Sequence, residues 1–287
     1  MKKVLLIFLG LLVLLIVFSI FFALLQKKIP FGESKQVALV RIEGMIIDSK
    51  DTIAELKEYV KDPFIKAIVL RIDSPGGAVV PAQEIYEEIR NAVKEKNVIV
   101  SMGSVAASGG YYIASPATKI IANPGTLTGS IGVIMEVPNV SGLMDKIGIK
   151  TEVVKSGQHK DMASVFRGIG IEERVILQEV LDNVHEQFIR AVAEGRTTDE
   201  RTLLYDDVKK IADGRVFTGE QALEVGLIDE LGSLEDAIQS AAELAGIEGE
   251  PVVVSKKERF SLLNFLKGPK ELLENIPSVS LKYVFVP

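Results

Sequence analysis

The chain contains no cysteine, which excludes disulfide cross-links and thiol nucleophiles but leaves the cellular compartment open. Only two of its 287 residues are histidine, His159 and His185, so imidazole-based catalysis has just two candidates. Positive charge is not in excess. The formal net charge is −6, which argues against general nucleic-acid binding, and no nucleic-acid partner is expected. No segment repeats the glycine-rich stretches described below, and the length suits one large domain or two small ones.

What is plentiful is apolar residues, at 47% of the chain, and part of that excess lies in one place. Val4–Leu25 is a run of 22 residues without a charge. As a helix it would reach about 33 Å, enough to cross a bilayer. Lys2 and Lys3 precede it, and Lys27 and Lys28 follow. The segment Phe22-Ala23-Leu24-Leu25-Gln26 offers no small-x-small exit for cleavage, so residues 1–28 are expected to be an uncleaved membrane anchor in contact with lipid. The lysines at the amino terminus favour keeping that end cytoplasmic, which places the remainder outside the cytoplasm.

Two glycine-bearing turns organise the rest. Val98–Met102 has the length and β-branching of a buried strand. It leads into Gly103-Ser104-Val105-Ala106-Ala107-Ser108-Gly109-Gly110-Tyr111-Tyr112. The small residues around Ser108 let backbones approach and leave its hydroxyl uncovered. A helix starting near Ala107 would aim its first amides at whatever Ser108 attacks. Taken alone, Ser108 could equally be a helix cap in close helix–strand packing. A second stretch changes that balance. Arg71-Ile72-Asp73-Ser74-Pro75-Gly76-Gly77 also ends an apolar run, Ala67–Ile72, at a glycine pair. Two such turns at neighbouring strand ends can give two amides to one oxyanion.

Strands are expected at Val37–Ile42, Ala67–Ile72, Val98–Met102, Lys119–Ala122, Ile131–Met135 and Thr151–Val154. Helices are expected at Thr52–Val60, Pro81–Lys96, Ala106–Ala114, Val140–Ile147, Glu172–Glu194, Gln221–Val225 and Leu234–Leu244. In the longest, Ile176, Val180, Val184, Phe188 and Val192 form a four-step apolar stripe facing the core. The alternation gives an α/β layered domain with a mainly parallel sheet over residues 29–250. Beyond Pro251 the composition changes, with six lysines and arginines against three glutamates. Residues 251–287 are expected to be a loosely structured tail. Its apolar end, Val279–Val286, has a substrate-like composition and is expected to visit the substrate groove, since tethering raises its local concentration.

A nucleophilic serine needs a base. His159 lies in Lys155-Ser156-Gly157-Gln158-His159-Lys160-Asp161, so the residues alone leave a Ser–His–Asp triad open beside a lysine base. His185, inside the long amphipathic pattern, reads as a helix-face residue. Four stretches occur in order behind the apolar amino-terminal run: Asp-Ser-Pro-Gly-Gly, Ala-Ser-Gly-Gly-Tyr-Tyr, Thr-Gly-Ser-Ile-Gly-Val and Lys-Ser-Gly-x-x-Lys-Asp. Residues 37–250 thereby resemble the signal peptide peptidase A (protease IV) family of Ser–Lys peptidases, within the ClpP/crotonase superfamily.

The resemblance implies Ser108 as nucleophile and Lys160 as general base. It also implies an oxyanion hole from Gly109 and the Gly76–Gly77 pair, with Ser130 orienting the lysine, and no metal or cofactor. The implied substrates are signal-peptide remnants and other apolar peptides at the membrane. The implied assembly is a homo-oligomeric ring in which Ser108 of one subunit faces Lys160 of the next. Asp161 is expected to turn away from Lys160, as neighbours in extended chain do. Two alternatives stand beside this reading: a crotonase-type acyl-CoA enzyme, and a catalytically silent scaffold that binds peptides.

Overall fold

The structure, a computed structural model, describes residues 12, 14–18, 35–197, 203–256 and 281–285. The chain divides into two units, Met1–Ser34 and Lys35–Pro287. Most of the expected anchor lies outside the described residues; those described within it, 12 and 14–18, are helical. Among the described residues no helix is long and apolar enough to cross a membrane.

In the second unit, β1 (Gln36–Glu43) leads to α1 (Lys50–Lys61), β2 (Ile65–Ser74) and β3 (Gly76–Ala78). Then come α2 (Val79–Val93), β4 (Asn97–Ala107), α3 (Gly109–Ala114), β5 (Lys119–Ala122), β6 (Leu127–Gly129) and β7 (Ile134–Met135). The chain continues through α4 (Ser141–Lys146), α5 (Ile171–Gly195), α6 (Tyr205–Ile211), β8 (Val216–Phe217) and α7 (Gly219–Glu224). It closes with β9 (Glu230–Leu231), α8 (Leu234–Leu244), β10 (Val252–Val254) and β11 (Leu281–Val284).

The main sheet runs β10-β1-β2-β4-β5-β9, with β6 beside the end of β4 and β8 beside β6. All its pairings are parallel except β6·β8. Strand alternation sends successive residues to opposite faces. Val37, Leu39, Ala67, Val69, Ile99 and Ile121 pack with Ala237, Ile238, Ala241 and Ala242 of α8. The alternate residues Ala38, Val40, Ile68, Leu70, Val98 and Val100 share the larger core with α1, α2, α3 and α5. Helices thus cover both faces of a mostly parallel sheet, the layered α/β arrangement expected from the sequence.

The expected strand Ile131–Met135 is shortened to β7, Ile134–Met135, and four further elements differ from expectation. β4 does not stop at Met102 but runs to Ala107, because Val105–Ala107 pair with Leu127–Gly129 of β6; the helix behind Ser108 therefore starts at Gly109. Thr151–Val154 is not a strand: the segment is exposed and no strand pairs with it among the described residues. The stripe on α5 faces the core only near its carboxyl end, where Phe188 and Val192 are buried, while Val180 is exposed. Finally, the two described segments of the tail are strands. Val252–Val254 extends the main sheet beside β1, and Leu281–Val284 lies between β3 and β7 in a second, three-stranded sheet.

At the carboxyl end of α5 the guanidinium of Arg196 is fully buried and donates to Asp229 Oδ1 at 2.7 Å. The other oxygen of Asp229 accepts from the amide of Ile120 at 2.7 Å. One carboxylate therefore ties α5 to β5 while offsetting a buried charge. Asp229→Ala should lower stability by roughly 3 kcal/mol, since it removes a charged partner of the buried guanidinium and the acceptor of the Ile120 amide together. Urea unfolding checks this; a loss below about 1 kcal/mol would show the pair to be dispensable.

Candidate active site

The parallel register of β2 and β4 builds the site. The two strands run in step up to Ile72 opposite Met102; the register then shifts, and Ser74 lies opposite Ala106. That bulge brings the turn after β2 beside the turn after β4. Ser108 sits between β4 and α3 with φ 52° and ψ −116°. A non-glycine residue at such angles carries backbone strain of about 1–3 kcal/mol, tolerated where the surroundings impose it. The surroundings do so here. The amide of Ser108 donates to Gly129 O at 2.8 Å, and its carbonyl accepts from Tyr112 N at 2.8 Å. Ser108 holds the N-cap position of α3, but its hydroxyl makes no capping hydrogen bond, so the side chain is not spent on the helix. It is also not open to solvent as the sequence suggested: Ser108 is 1% exposed.

The glycines explain what lies beside it. A Cβ added to Gly109 would stand 3.0 Å from the carbonyl oxygen of Tyr283, 3.1 Å from Gly76 Cα and 3.2 Å from Gly77 N. One added to Gly76, whose φ is +100°, would stand 2.0 Å from that same oxygen and 2.6 Å from Gly109 N. The two turns therefore converge on a single carbonyl oxygen. The amide of Gly76 donates to Ser74 Oγ at 3.1 Å, so Gly76 contributes space rather than a donor. Gly77, opposite Tyr283 in the β3·β11 register, and Gly109 are the amides at hand.

Ser130 follows Gly129, whose strand partner is Ala107. It is buried, with φ 50°, and held by its amide to Arg215 O at 2.8 Å. It borders a cleft of about 470 Å³ whose walls include Val133, His185, Asp213, Val284 and Phe285. His185 was not singled out from the sequence as a site residue. Its place within the long helix hid that it lines this cleft, with a buried Nε2 that has no hydrogen-bond partner among the described residues.

Lys160 lies elsewhere in the chain's own surface. It is exposed, in the turn after Gly157. Among the described residues no hydrogen bond or ion pair joins Lys160 or His159 to Ser108; His159 Nε2 instead lies 3.8 Å from Glu172 Oε1. Asp161 has turned to other cations. It accepts from Arg167 Nε at 2.9 Å and from Lys155, and these bonds, Arg167 first, hold its carboxyl well below the usual carboxylate range. Arg167 also clamps Glu173, whose carboxyl is lowered to about 2 by that contact and by the Gly170 amide. Lys160 is thus free of its neighbouring carboxylate. The structure brings together Ser108, Gly76, Gly77, Gly109 and Ser130, and does not bring Lys160 to them within one chain.

The carboxyl-terminal strand occupies the groove over these turns. β11 pairs antiparallel with β3, Lys282 opposite Ala78 and Val284 opposite Gly76, and Phe285 N donates to Pro75 O at 2.7 Å. On its other side it pairs with β7. A strand laid between two strands, with one carbonyl between two glycine turns, is how a peptidase holds an extended substrate.

Comparison with known proteins agrees with this chemistry. A model of peptidase family S49 matches residues 90–248, and a Clp protease model matches residues 47–127. A Synechocystis sp. protein named as a protease is 40% identical over 250 residues, covering 86% of this chain and 85% of that protein. An Enterococcus faecium protein named as signal peptide peptidase SppA is 33% identical, covering 83% of this chain and 72% of that one. Protease 4 of Salmonella typhi is 36% identical over 77% of this chain, which spans 36% of that longer protein.

Two outcomes follow from the geometry. Gly76→Ala places a methyl group against backbone atoms in the oxyanion space, so turnover should fall by about 100-fold or more while the fold persists. Turnover within threefold of the parent, at matched far-ultraviolet circular dichroism, would contradict the assignment. The Arg167 clamp should be acid-sensitive. Glu173 has a folded pKa lowered from 4.5 to about 2, so its stabilisation is full above the unfolded value and is lost as pH falls through the folded one. Hydrogen-exchange protection across residues 157–173, taken relative to the intrinsic amide rate at each pH, should fall between pH 4.5 and 2; unchanged protection at the acid end would argue against the clamp.

Proposed function

The chain belongs to peptidase family S49 and is a serine peptidase, and from that premise we propose that it is a membrane-anchored endopeptidase using a Ser108–Lys160 dyad shared between subunits. The observation that carries the mechanism is the single carbonyl oxygen held between Gly76–Gly77 and Gly109 beside a strained serine. In the proposed reaction, Ser108 Oγ attacks the peptide carbonyl and its proton passes to neutral Lys160 Nζ. The amides of Gly77 and Gly109 hold the oxyanion. Collapse forms an acyl-enzyme, and the amine leaves with the proton from Lys160. Water, deprotonated by Lys160 Nζ, then attacks the ester, and the proton returns to Ser108 Oγ as that bond breaks.

The lysine sets the hardest condition. At an ordinary pKa near ~10.4, less than ~0.1% is neutral at pH 7. A base must be desolvated and kept from carboxylates. Asp161 already serves Arg167 and Lys155, and Lys160 is exposed in the isolated chain. Packing of a second copy would supply the missing burial. Leu143, Ile147, Ile149, Val153 and Phe166, all exposed and apolar, lie on the segment that bears Lys160, as expected of an interface. A head-to-tail contact repeated to closure gives every subunit the same pairing, hence a ring. Ser130 would orient the amine by its hydroxyl without adding charge.

The substrates proposed are signal-peptide remnants and other apolar peptides. The name of the Enterococcus relative and the uncharged run Val4–Leu25 support this, because an anchored site meets peptides left in the bilayer. Lys2 and Lys3 favour an extracytoplasmic catalytic unit.

The test is peptide hydrolysis by purified protein and three variants. Ser108→Ala and Lys160→Ala should each lose at least about 1,000-fold in turnover, and His159→Ala should keep most activity. Activity of the parent should rise with pH, as a neutral amine base requires. Mixing Ser108→Ala with Lys160→Ala subunits under exchange should restore activity. An active Lys160→Ala with a dead His159→Ala would reverse the base assignment; verified mixed assemblies that stay dead would return the dyad to one chain.

A further inference from the structure

Arg167 uses every donor it has around the turn that bears Lys160. A guanidinium carries five N–H groups, and each meets an oxygen here. Nε donates to Asp161 Oδ2 at 2.9 Å. One terminal nitrogen donates to Asp161 O at 3.1 Å and to Glu173 Oε1. The other donates to Glu173 Oε2 at 2.8 Å and to Gly168 O at 3.1 Å. Of the two carboxylates so held, Asp161 follows Lys160 directly and Glu173 stands in the first turn of α5. Both are largely withdrawn from solvent, their side chains 12% and 10% exposed.

We propose that Arg167 is a positioning residue for the lysine base: it holds Asp161 turned away from Lys160, so that the amine next to it in sequence is left without a carboxylate and can shed its proton. The inference rests on Lys160 as base for its effect on turnover, but the hold on Asp161 is a property of the loop in its own right. The need is electrostatic. Asp161 stays ionised throughout the working range of pH, because bonds from Arg167 and then Lys155 keep its carboxyl well below the usual range. An anion within ~4–6 Å of an ammonium raises a lysine's pKa by about one unit or more. Each unit lowers the neutral fraction about tenfold.

Backbone bonds fix the main chain of the turn, with Lys160 N donating to Gly157 O and Ser164 N to Asp161 O, each at 3.1 Å. The direction of the Asp161 side chain depends on its two cations. Lys155 reaches Oδ1 on a flexible stem and leaves Oδ2 open to whichever cation is nearest. Arg167 takes Oδ2, and its planar fork, bonded also to the Asp161 carbonyl, fixes direction as well as charge. Glu173 has its own reason to stay at the start of α5. It accepts from Gly170 N at 2.9 Å, where the helix dipole favours an anion. The remaining charges pair elsewhere. His159 Nε2 lies 3.8 Å from Glu172, which also accepts from Gln158 at 3.1 Å. The helix α4 is joined to this loop by Val140 N donating to Val165 O at 2.8 Å. Among the described residues, its Asp145 and Lys146 pair with neither Asp161 nor Lys160.

The experiment compares full-length, assembled parent protein with Arg167→Met, Asp161→Asn and the double variant. Two midpoints are read on each. One is the pH at which Lys160 is half deprotonated, from competitive labelling with trace acetic anhydride and peptide mapping. The other is the midpoint of the rising limb of kcat/KM against pH. Arg167→Met should raise both by about one unit, so that turnover at pH 7 falls roughly tenfold and recovers at higher pH. Adding Asp161→Asn should return both to within about 0.3 units of the parent, whereas Asp161→Asn alone should raise neither. A loop that was merely loosened would lose activity at every pH, keep its midpoints and gain nothing from Asp161→Asn. That result, or a labelling midpoint unmoved by Arg167→Met, would overturn the proposal. Arg167→Lys covers a methionine variant that does not fold. It keeps a cation but not the fork, so it should raise both midpoints by about half a unit, again reversed by Asp161→Asn. A labelling midpoint that follows Arg167 and Asp161 while the activity limb stays in place would instead overturn Lys160 as the base and leave the hold on Asp161 standing.

Discussion

One register shift between two parallel strands underlies the site. Up to Ile72 and Met102, β2 and β4 advance together; beyond them, Ser74 pairs with Ala106. The shift lets two glycine turns meet edge to edge instead of following each other along the sheet. Everything chemical depends on that meeting. Gly76 at φ +100° and Gly109 leave room for one oxygen atom where any side chain would collide with backbone. Ser108 is forced to φ 52° because its amide is committed to Gly129 and its carbonyl to α3. The cores on both faces of the sheet hold these strands in place, so local strain at the serine is carried by burial elsewhere.

The same groove that would receive a substrate is filled by the chain's own end. The strand Leu281–Val284 supplies backbone pairing to β3 and β7 and sets the Tyr283 ring against Tyr112 and Phe188. Pairing through backbone is indifferent to sequence, whereas the ring contacts of Tyr283 are not. A tethered occupant also competes with added peptide at the high effective concentration that tethering gives.

How much of this was legible in the sequence follows from burial. Val37–Ile42, Ala67–Ile72 and Lys119–Ala122 read as strands because both faces of a parallel sheet demand nearly continuous apolar runs, here interrupted only by Arg41, Arg71 and Lys119. The continuation of β4 through Ser104–Ala107 was not legible, since its small residues pair with β6 without looking hydrophobic. Strands of two or three residues, such as β7 and β8, are too short to show a period. Thr151–Val154 has strand composition, but composition cannot supply a partner strand, and its side chains lie exposed. The converse holds for the tail: the composition of its apolar end pointed to the groove, but its alternation was too brief to name β3 and β7 as the strands that hold it. Ser108 and the glycine turns were readable from residue type and order. That Gly76 would spend its amide on Ser74, and that His185 would face the cleft, required coordinates.

The central claim is that Ser108 is the one serine activated for attack, beside an oxyanion space built by Gly77 and Gly109. The most direct measurement is reaction of the intact, assembled protein with a fluorophosphonate, followed by intact mass and peptide mapping. The account predicts a single adduct on Ser108, slowed when the peptide of residues 280–286 is added and absent in Ser108→Ala. A protein that hydrolyses peptides yet takes up the reagent on another serine, or on none, would contradict it.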